Sequence, residues 1–368
     1  MKIKIQTLTP THIGSGRELQ GGFEYVYFPQ ERKVGVLDPE KVLGFIGEEN
    51  MGPWVSSIDK GQSLLENLPQ LKNRTSQDLS ARTISCARLT TKPIREQIRT
   101  GSDLAFLPGS SLKGALRTTI WGETLLDNSI LAKDRRNLGN VDYRGGFRWS
   151  DAPLQKMLFG ADPNHDIFRL LQVGDTHFDR TEVFQSQVVN LKGKVWKIDK
   201  GEGKGISPEA WIEALPIGAT ATCEIRFNDL LQKQAARQNI FNHNAQNLQL
   251  PALFAMVNKF SKRLVGDEVN YWQKEDMPDG FEDYLDEMKA LLVAIDACGE
   301  KECVLRVGWG SGFRSMTGDW QGAMNDDDYD DLVNSLRSRK YEGLMFPKTT
   351  RFVGTGVPLG FIKLSIEN

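Results

Sequence analysis

Both ends of the chain read as β-strands, and this constrains the fold most. Ile3 and Ile5 alternate with Lys2, Lys4 and Gln6, the period-two pattern of a half-buried strand. The far end, Pro358-Leu359-Gly360-Phe361-Ile362-Lys363-Leu364, closes on a further strand. Strand character also recurs at Phe23, Tyr25 and Tyr27, at Val34 to Leu37, and at Leu170 to Val173. Val195 to Ile198, Ala221 to Phe227 and Val304 to Val307 continue the series, with a turn at Glu213 to Gly218. Helical signals fall between these strands. Asp38-Pro39-Glu40 has the cap and early proline of a helix start. Leu112, Ala115, Leu116, Thr119 and Ile120 follow a helical period, with Ser110 or Ser111 as the cap. Phe281, Tyr284, Leu285, Met288, Leu291, Leu292 and Ile295 form one apolar stripe in a mostly helical stretch over 229–298. Residues 50–100 show no clear period, and Lys133 to Arg148 reads as a basic loop. A doubly wound parallel sheet would alternate strand and helix more regularly. The pattern predicts an α+β fold with split βαβ units of ferredoxin-like type.

The 368 residues suffice for two domains or one elaborated one, and 39% hydrophobic with 26% charged residues is a globular balance. That composition excludes a disordered or fibrous chain. No apolar run approaches the roughly 20 residues of a membrane span, and the first residues carry no signal-peptide core, so no membrane association is expected. Cys86, Cys223, Cys298 and Cys303 are too few and scattered for a disulfide framework, which points to a cytoplasmic protein. The net charge of −2 hides segregation: Gln70 to Arg117 holds nine basic against three acidic residues, and Arg337 to Arg351 five against one. Acid collects at Asp267 to Glu287 and Asp319 to Asp331. Such segregation fits a basic working face with acidic solvated segments.

Three glycine-bearing segments can bring backbone close to a ligand: His12-Ile13-Gly14-Ser15-Gly16, Pro108-Gly109-Ser110-Ser111-Leu112-Lys113-Gly114, and Gly308-Trp309-Gly310-Ser311-Gly312-Phe313. The second runs into a helix whose N-terminus suits phosphate, with Lys113 and Arg117 on one face. The same spacing also describes an ordinary capped helix with two solvated cations. None is a P-loop or a dinucleotide-binding loop, so an ATPase or dehydrogenase is excluded and no cofactor is expected. Cys298 and Cys303 lack a matching metal-ligand pair, and Asp326-Asp327-Asp328 reads as a solvated run, so no metal site is expected. Of the four histidines, His12 lies at a strand end beside a glycine loop. There it is either a general base for RNA cleavage or a packing residue, and no second titrating partner stands near it in sequence.

Five segments together resemble the RAMP superfamily of CRISPR proteins. They are Leu8 to Gly16, Pro108 to Arg117, Gly308 to Phe313, Pro347-Lys348-Thr349-Thr350-Arg351, and Pro358 to Leu364. Within it, their order and spacing look like the fifth subunit of the type III-A (Csm) effector complex. The resemblance implies tandem ferredoxin-like, RRM-like units: residues 1–165 with a helical insertion at about 38–105, and residues 166–368 with one at about 229–300. It implies a non-catalytic subunit that holds crRNA toward its 3′ end, caps the backbone filament and assists 3′-end maturation. The implied partners are crRNA, the backbone RAMP subunit, the small helical subunit and recruited cellular nucleases. His12, Gly14, Ser15, Gly16, Gly109, Ser110, Ser111, Lys113 and Arg117 would line the RNA path, joined by Gly310, Ser311, Gly312, Arg314, Lys348 and Arg351. The rivals are a metal-independent endoribonuclease acting on precursor crRNA with His12 as base, and a purely structural cap.

Overall fold

The structure is a computed structural model, and it describes residues 1–61, 63–88, 90–127, 138–141, 147–192, 194–199, 209–236, 240–241, 243–336 and 347–367. The two terminal strands are neighbours at the centre of one antiparallel sheet. Its order is Leu171–Val173, Thr220–Phe227, Lys2–Thr7, Phe361–Ile366, Glu302–Arg306. Ile3 sits opposite both Cys223 and Ile366, so the first strand is paired on both sides. The helix Gly109–Asp127 follows the first strand, and the helix Leu250–Trp272 follows Thr220–Phe227. This is a strand-helix-strand-strand-helix-strand unit of ferredoxin-like order, with Glu302–Arg306 added at one edge. Ile3, Ile5, Ile225 and Leu364 of the sheet are buried in one core with Leu112, Leu116 and Ile120 of the first helix and Leu253, Phe254 and Val257 of the second. Each such side chain contributes about 1.5–3 kcal/mol by leaving water. The stripe near residue 290 is also core. Tyr284, Met288, Leu291 and Ile295 of the helix Tyr284–Asp296 pack with Val304, Phe352 and Phe361.

The second sheet is mixed and has ten strands among the described residues. Its path runs Gly14–Leu19, Ile94–Gln97, Ala210–Ala214, Glu182–Lys192, Ser80–Cys86, Lys33–Leu37, Tyr25–Phe28. Val195–Ile198 and Thr349–Val353 also pair with Glu182–Lys192. The α+β class expected from the sequence is therefore present. The division at 165/166 is not, because both sheets take strands from both sides of it. The reason lies in the first strand, whose two neighbours come from Thr220–Phe227 and Phe361–Ile366.

Two further expectations change. The segment 38–105 is helical only to Leu79, then supplies the strands Ser80–Cys86 and Ile94–Gln97. Within the basic loop, Gly139–Val141 and Phe147–Trp149 pair as short strands, while 133–137 and 142–146 lie outside the described residues. The helix start at Asp38 holds, its carboxylate accepting from the Glu40 and Lys41 N–H groups at 3.0 and 3.4 Å. The stretch at about 229–300 carries the helices Asp229–Ala236, Leu250–Trp272 and Tyr284–Asp296, with turns and coil between Trp272 and Tyr284.

Candidate nucleic-acid interface

Two of the three glycine segments meet where the sheets join. The N–H of Trp309 donates to the His12 carbonyl at 2.9 Å, and the N–H of Gly360 donates to that of Pro10 at 2.9 Å. Gly308 has φ +87°, and a Cβ there would lie 2.5 Å from the His12 carbonyl oxygen. Only glycine allows this approach. His12 is 1% exposed, and its Nδ1 lies 2.6 Å from the carbonyl oxygen of Glu213. A carbonyl oxygen only accepts, so Nδ1–H is the donor. Burial lowers its pKa below the ordinary 6.5, against the opposing pull of Glu213. It is thus buried between the loops, its ring held by the Glu213 carbonyl.

The unfolded chain binds the His12 proton near 6.5, the folded chain only at lower pH. This contribution is present above 6.5 and lost as pH falls through that value toward the folded pKa. An imidazole NMR titration should therefore find His12 neutral at pH 7 and titrating below free histidine; a midpoint above 6.5 would contradict its burial.

Trp309 gathers the arginines of the junction. The Arg351 guanidinium lies 4.5 Å from its ring centroid, that of Arg95 at 5.0 Å, and the His12 ring meets it edge-on at 5.8 Å. Arginines on an indole are attracted to its π-face. Burial lowers the Arg351 pKa, and Arg95 lowers it further. Two guanidiniums thus share one aromatic side chain, and Arg95 also pairs with Glu18 at 3.3 Å. Behind Trp309 opens a cleft of about 680 Å³ between the glycine loop, the helix Leu250–Trp272 and the strand Glu182–Lys192.

The other expected residues distribute unevenly. Gly310, Ser311, Gly312, Arg314 and Arg351 line this cleft, with Ser311 buried. Arg314, however, is held by Asp319 at 2.7 Å and Asp267 at 2.7 Å, which raises its pKa and makes it structural. Lys348 stands just ahead of Thr349–Val353, and its carbonyl accepts from the Leu191 N–H at 2.9 Å. Gly14, Ser15 and Gly16 lie exposed on the edge strand Gly14–Leu19, with Ser15 Oγ donating to Glu96 at 3.0 Å.

The third glycine segment is elsewhere. Gly109 is buried, and its N–H donates to the Asp175 carboxylate at 2.7 Å. A carboxylate of the chain itself therefore occupies part of that helix end. Ser110 and Ser111 sit inside the first turn rather than at the cap, with Ser110 exposed. Lys113 and Arg117 line a separate cleft of about 530 Å³. Arg117 bonds Asp166 at 2.8 Å and lies 4.4 Å over the Phe159 ring, so the pair is not the open phosphate grip that its spacing suggested. Burial lowers the Lys113 pKa, opposed by Asp166.

Sequence reading missed Arg95 and Glu213. Arg95 had a signal, since it falls inside the basic stretch from Gln70 to Arg117. Among the described residues no group of three or more His, Cys, Asp or Glu side chains is placed to hold a metal, and no helix is long and apolar enough to cross a membrane. The four cysteines are free thiols, with Cys86, Cys223 and Cys303 buried.

Known proteins share this plan. The chain is 23% identical over 337 residues to the CRISPR system Cms protein Csm5 of Methanocaldococcus jannaschii, covering 86% of this chain and 72% of that one. It overlays a chain of a Csm-crRNA-target RNA ternary complex of a type III-A CRISPR-Cas system with TM-score 0.65 at 20% identity, covering 99% of this chain and 100% of the other. Csm5 of T. onnurineus overlays with TM-score 0.57 at 21% identity, covering 98% and 99%. Residues 4–315 match the RAMP superfamily, which spans the ferredoxin-like sheet's first strands and both glycine loops of the junction. By that match and by this fold, the chain belongs to the RAMP superfamily.

Proposed function

We propose that this chain is the fifth-subunit type of a type III-A (Csm) interference complex, and that it holds guide RNA without cutting it. The observation that carries the reading is Trp309 flanked by Arg95 and Arg351 beside two glycine loops. Aromatic faces stack bases and arginines take phosphate, the usual means of holding single-stranded RNA. Similarity to a chain from a complex with crRNA and target RNA supports the choice of ligand. Its place toward the crRNA 3′ end, capping the backbone subunits and aiding 3′ maturation in the cytoplasm, belongs to the same proposal. The buried, carbonyl-bonded His12 supports a binder over an endoribonuclease.

The test is purification of the chain from cells with its bound partners, followed by sequencing of the RNA. Guide RNAs with a shared repeat-derived tag support the proposal; a complex lacking RNA favours the structural cap. With purified chain, Arg351→Ala should weaken binding of all RNA sequences alike. It should also lower the slope of log K against log salt by about 0.7 if it removes one phosphate contact. An unchanged slope would take Arg351 off the phosphate path.

A further inference from the structure

We propose that the cleft behind Trp309 receives one unstacked base of the RNA, whose phosphate lies on Arg95 and Arg351. This deepens the RNA-holding reading and rests on it. The cleft volume of about 680 Å³ falls within the range of small-molecule sites, about 300–1,000 Å³. Trp309, Phe313, Tyr271 and Leu264 give it aromatic and apolar walls. Its acids are already engaged. Asp267 pairs with Arg314 at 2.7 Å, Glu268 faces Arg306 at 4.0 Å and accepts from the Tyr284 hydroxyl at 2.5 Å, and Asp199 pairs with Lys192 at 3.0 Å. They therefore do not repel an anionic ligand as free carboxylates would.

Asn190 points to what enters. Its Nδ2 donates to Asp199 Oδ2 at 3.2 Å, which fixes the amide orientation, because the opposite one would set oxygen against carboxylate. Its Oδ1 is then buried on the cleft wall with no hydrogen-bond partner among the described residues. A buried acceptor left unsatisfied is costly and calls for an explanation. An N–H on the edge of a base supplies the missing donor. All four bases carry such an N–H and a π-face, so this pocket selects an unpaired base over a paired one without fixing its identity. The helix Leu250–Trp272 and the glycine segment Trp309 to Phe313 form most of the walls, with Val188 and Asn190 from the strand Glu182–Lys192.

The experiment compares a short fluorescein-labelled RNA with a ribose-phosphate backbone of equal length lacking bases, using the full chain. Removing the bases should weaken binding by about 5- to 150-fold, the worth of a stacked base. Asn190→Leu and Phe313→Ala, each checked for folding by circular dichroism and thermal melting, should bring RNA affinity down toward that of the bare backbone. Equal binding of RNA and bare backbone by the wild-type chain overturns the pocket while leaving RNA binding standing. So does a base preference that survives in both folded variants. A wild-type chain that binds neither probe overturns the RNA reading itself. Loss of a co-purifying protein in both variants, with RNA affinity intact, assigns the cleft to a protein partner and overturns the proposal.

Discussion

Glu213→Ala should destabilise the fold by about 3–5 kcal/mol, the cost of leaving buried charge without its partner. Glu213 is 0% exposed on the strand Ala210–Ala214. Its carboxylate accepts from Arg82 at 2.8 Å, from Thr181 at 2.7 Å and from Arg99. Removal takes the most buried carboxylate from two guanidiniums whose side chains are 11% and 15% exposed, leaving Arg82 with Glu96 at 2.8 Å and Arg99 with Asp103 at 3.6 Å. Burial pushes the Glu213 pKa up, but Arg82 and Arg99 together outweigh it and hold the group below its ordinary 4.5. A depressed carboxyl contributes stability above the unfolded value and loses it as pH falls through the folded one. Thermal melts at pH 7 should show the loss directly. Melts repeated below about pH 4.5 should show the gap between wild type and variant closing. A gap of under 1 kcal/mol at pH 7 would mean that the arginines find other partners and that Glu213 is no anchor.

The second large effect is expected at Gly308. Valine there must adopt φ +87° and place a Cβ 2.5 Å from the His12 carbonyl oxygen. Left-handed backbone alone costs about 1–2 kcal/mol for a residue with a side chain. The clash is with backbone, so the two loops must part and the bond from Trp309 N–H to the His12 carbonyl goes with them. Gly308→Val should therefore lose about 3 kcal/mol or more and most of the RNA affinity, since Trp309 is no longer held. Gly312 is the comparison. Its φ is +84°, but a Cβ there meets only the Arg306 side chain at an ordinary 4.0 Å, so Gly312→Ala should cost only the backbone strain of about 1–2 kcal/mol. Denaturant unfolding of both variants checks the difference; equal losses would mean that φ, not the loop contact, sets the requirement.

These two residues also show what the sequence could and could not reveal. The glycines were visible as punctuation, and the terminal strands as alternation of Ile3 and Ile5 with polar neighbours. The stripe through Tyr284, Met288, Leu291 and Ile295 was equally plain, because one face of a helix is buried and the others are not. Glu182–Lys192 was not visible. It is paired along both edges and buries Val188 and Val189 in succession, so no clean alternation survives. Ser80–Cys86 hides for the opposite reason, since Ile84 is its one large apolar residue. Glu213 looked like part of a turn because its partners, Arg82 and Arg99, are 131 and 114 residues away. Arg117 looked available because Asp166, which neutralises it, is 49 residues downstream. Local pattern reports which face is buried. It does not report which distant charge will arrive to complete it.

The pairing of Lys2–Thr7 with Phe361–Ile366 has a consequence for synthesis on the ribosome. The first strand leaves the exit tunnel long before either neighbour exists, because its partners begin at Thr220 and Phe361. At about 5–20 residues per second, that strand waits on the order of tens of seconds with both edges bare. During that time Ile3 and Ile5 face solvent or a chaperone, and the ferredoxin-like sheet cannot close. A nascent chain stalled before Phe361 should therefore be bound by chaperones and digested by protease within its first residues. Releasing the final strand should convert it to the resistant form in one late step.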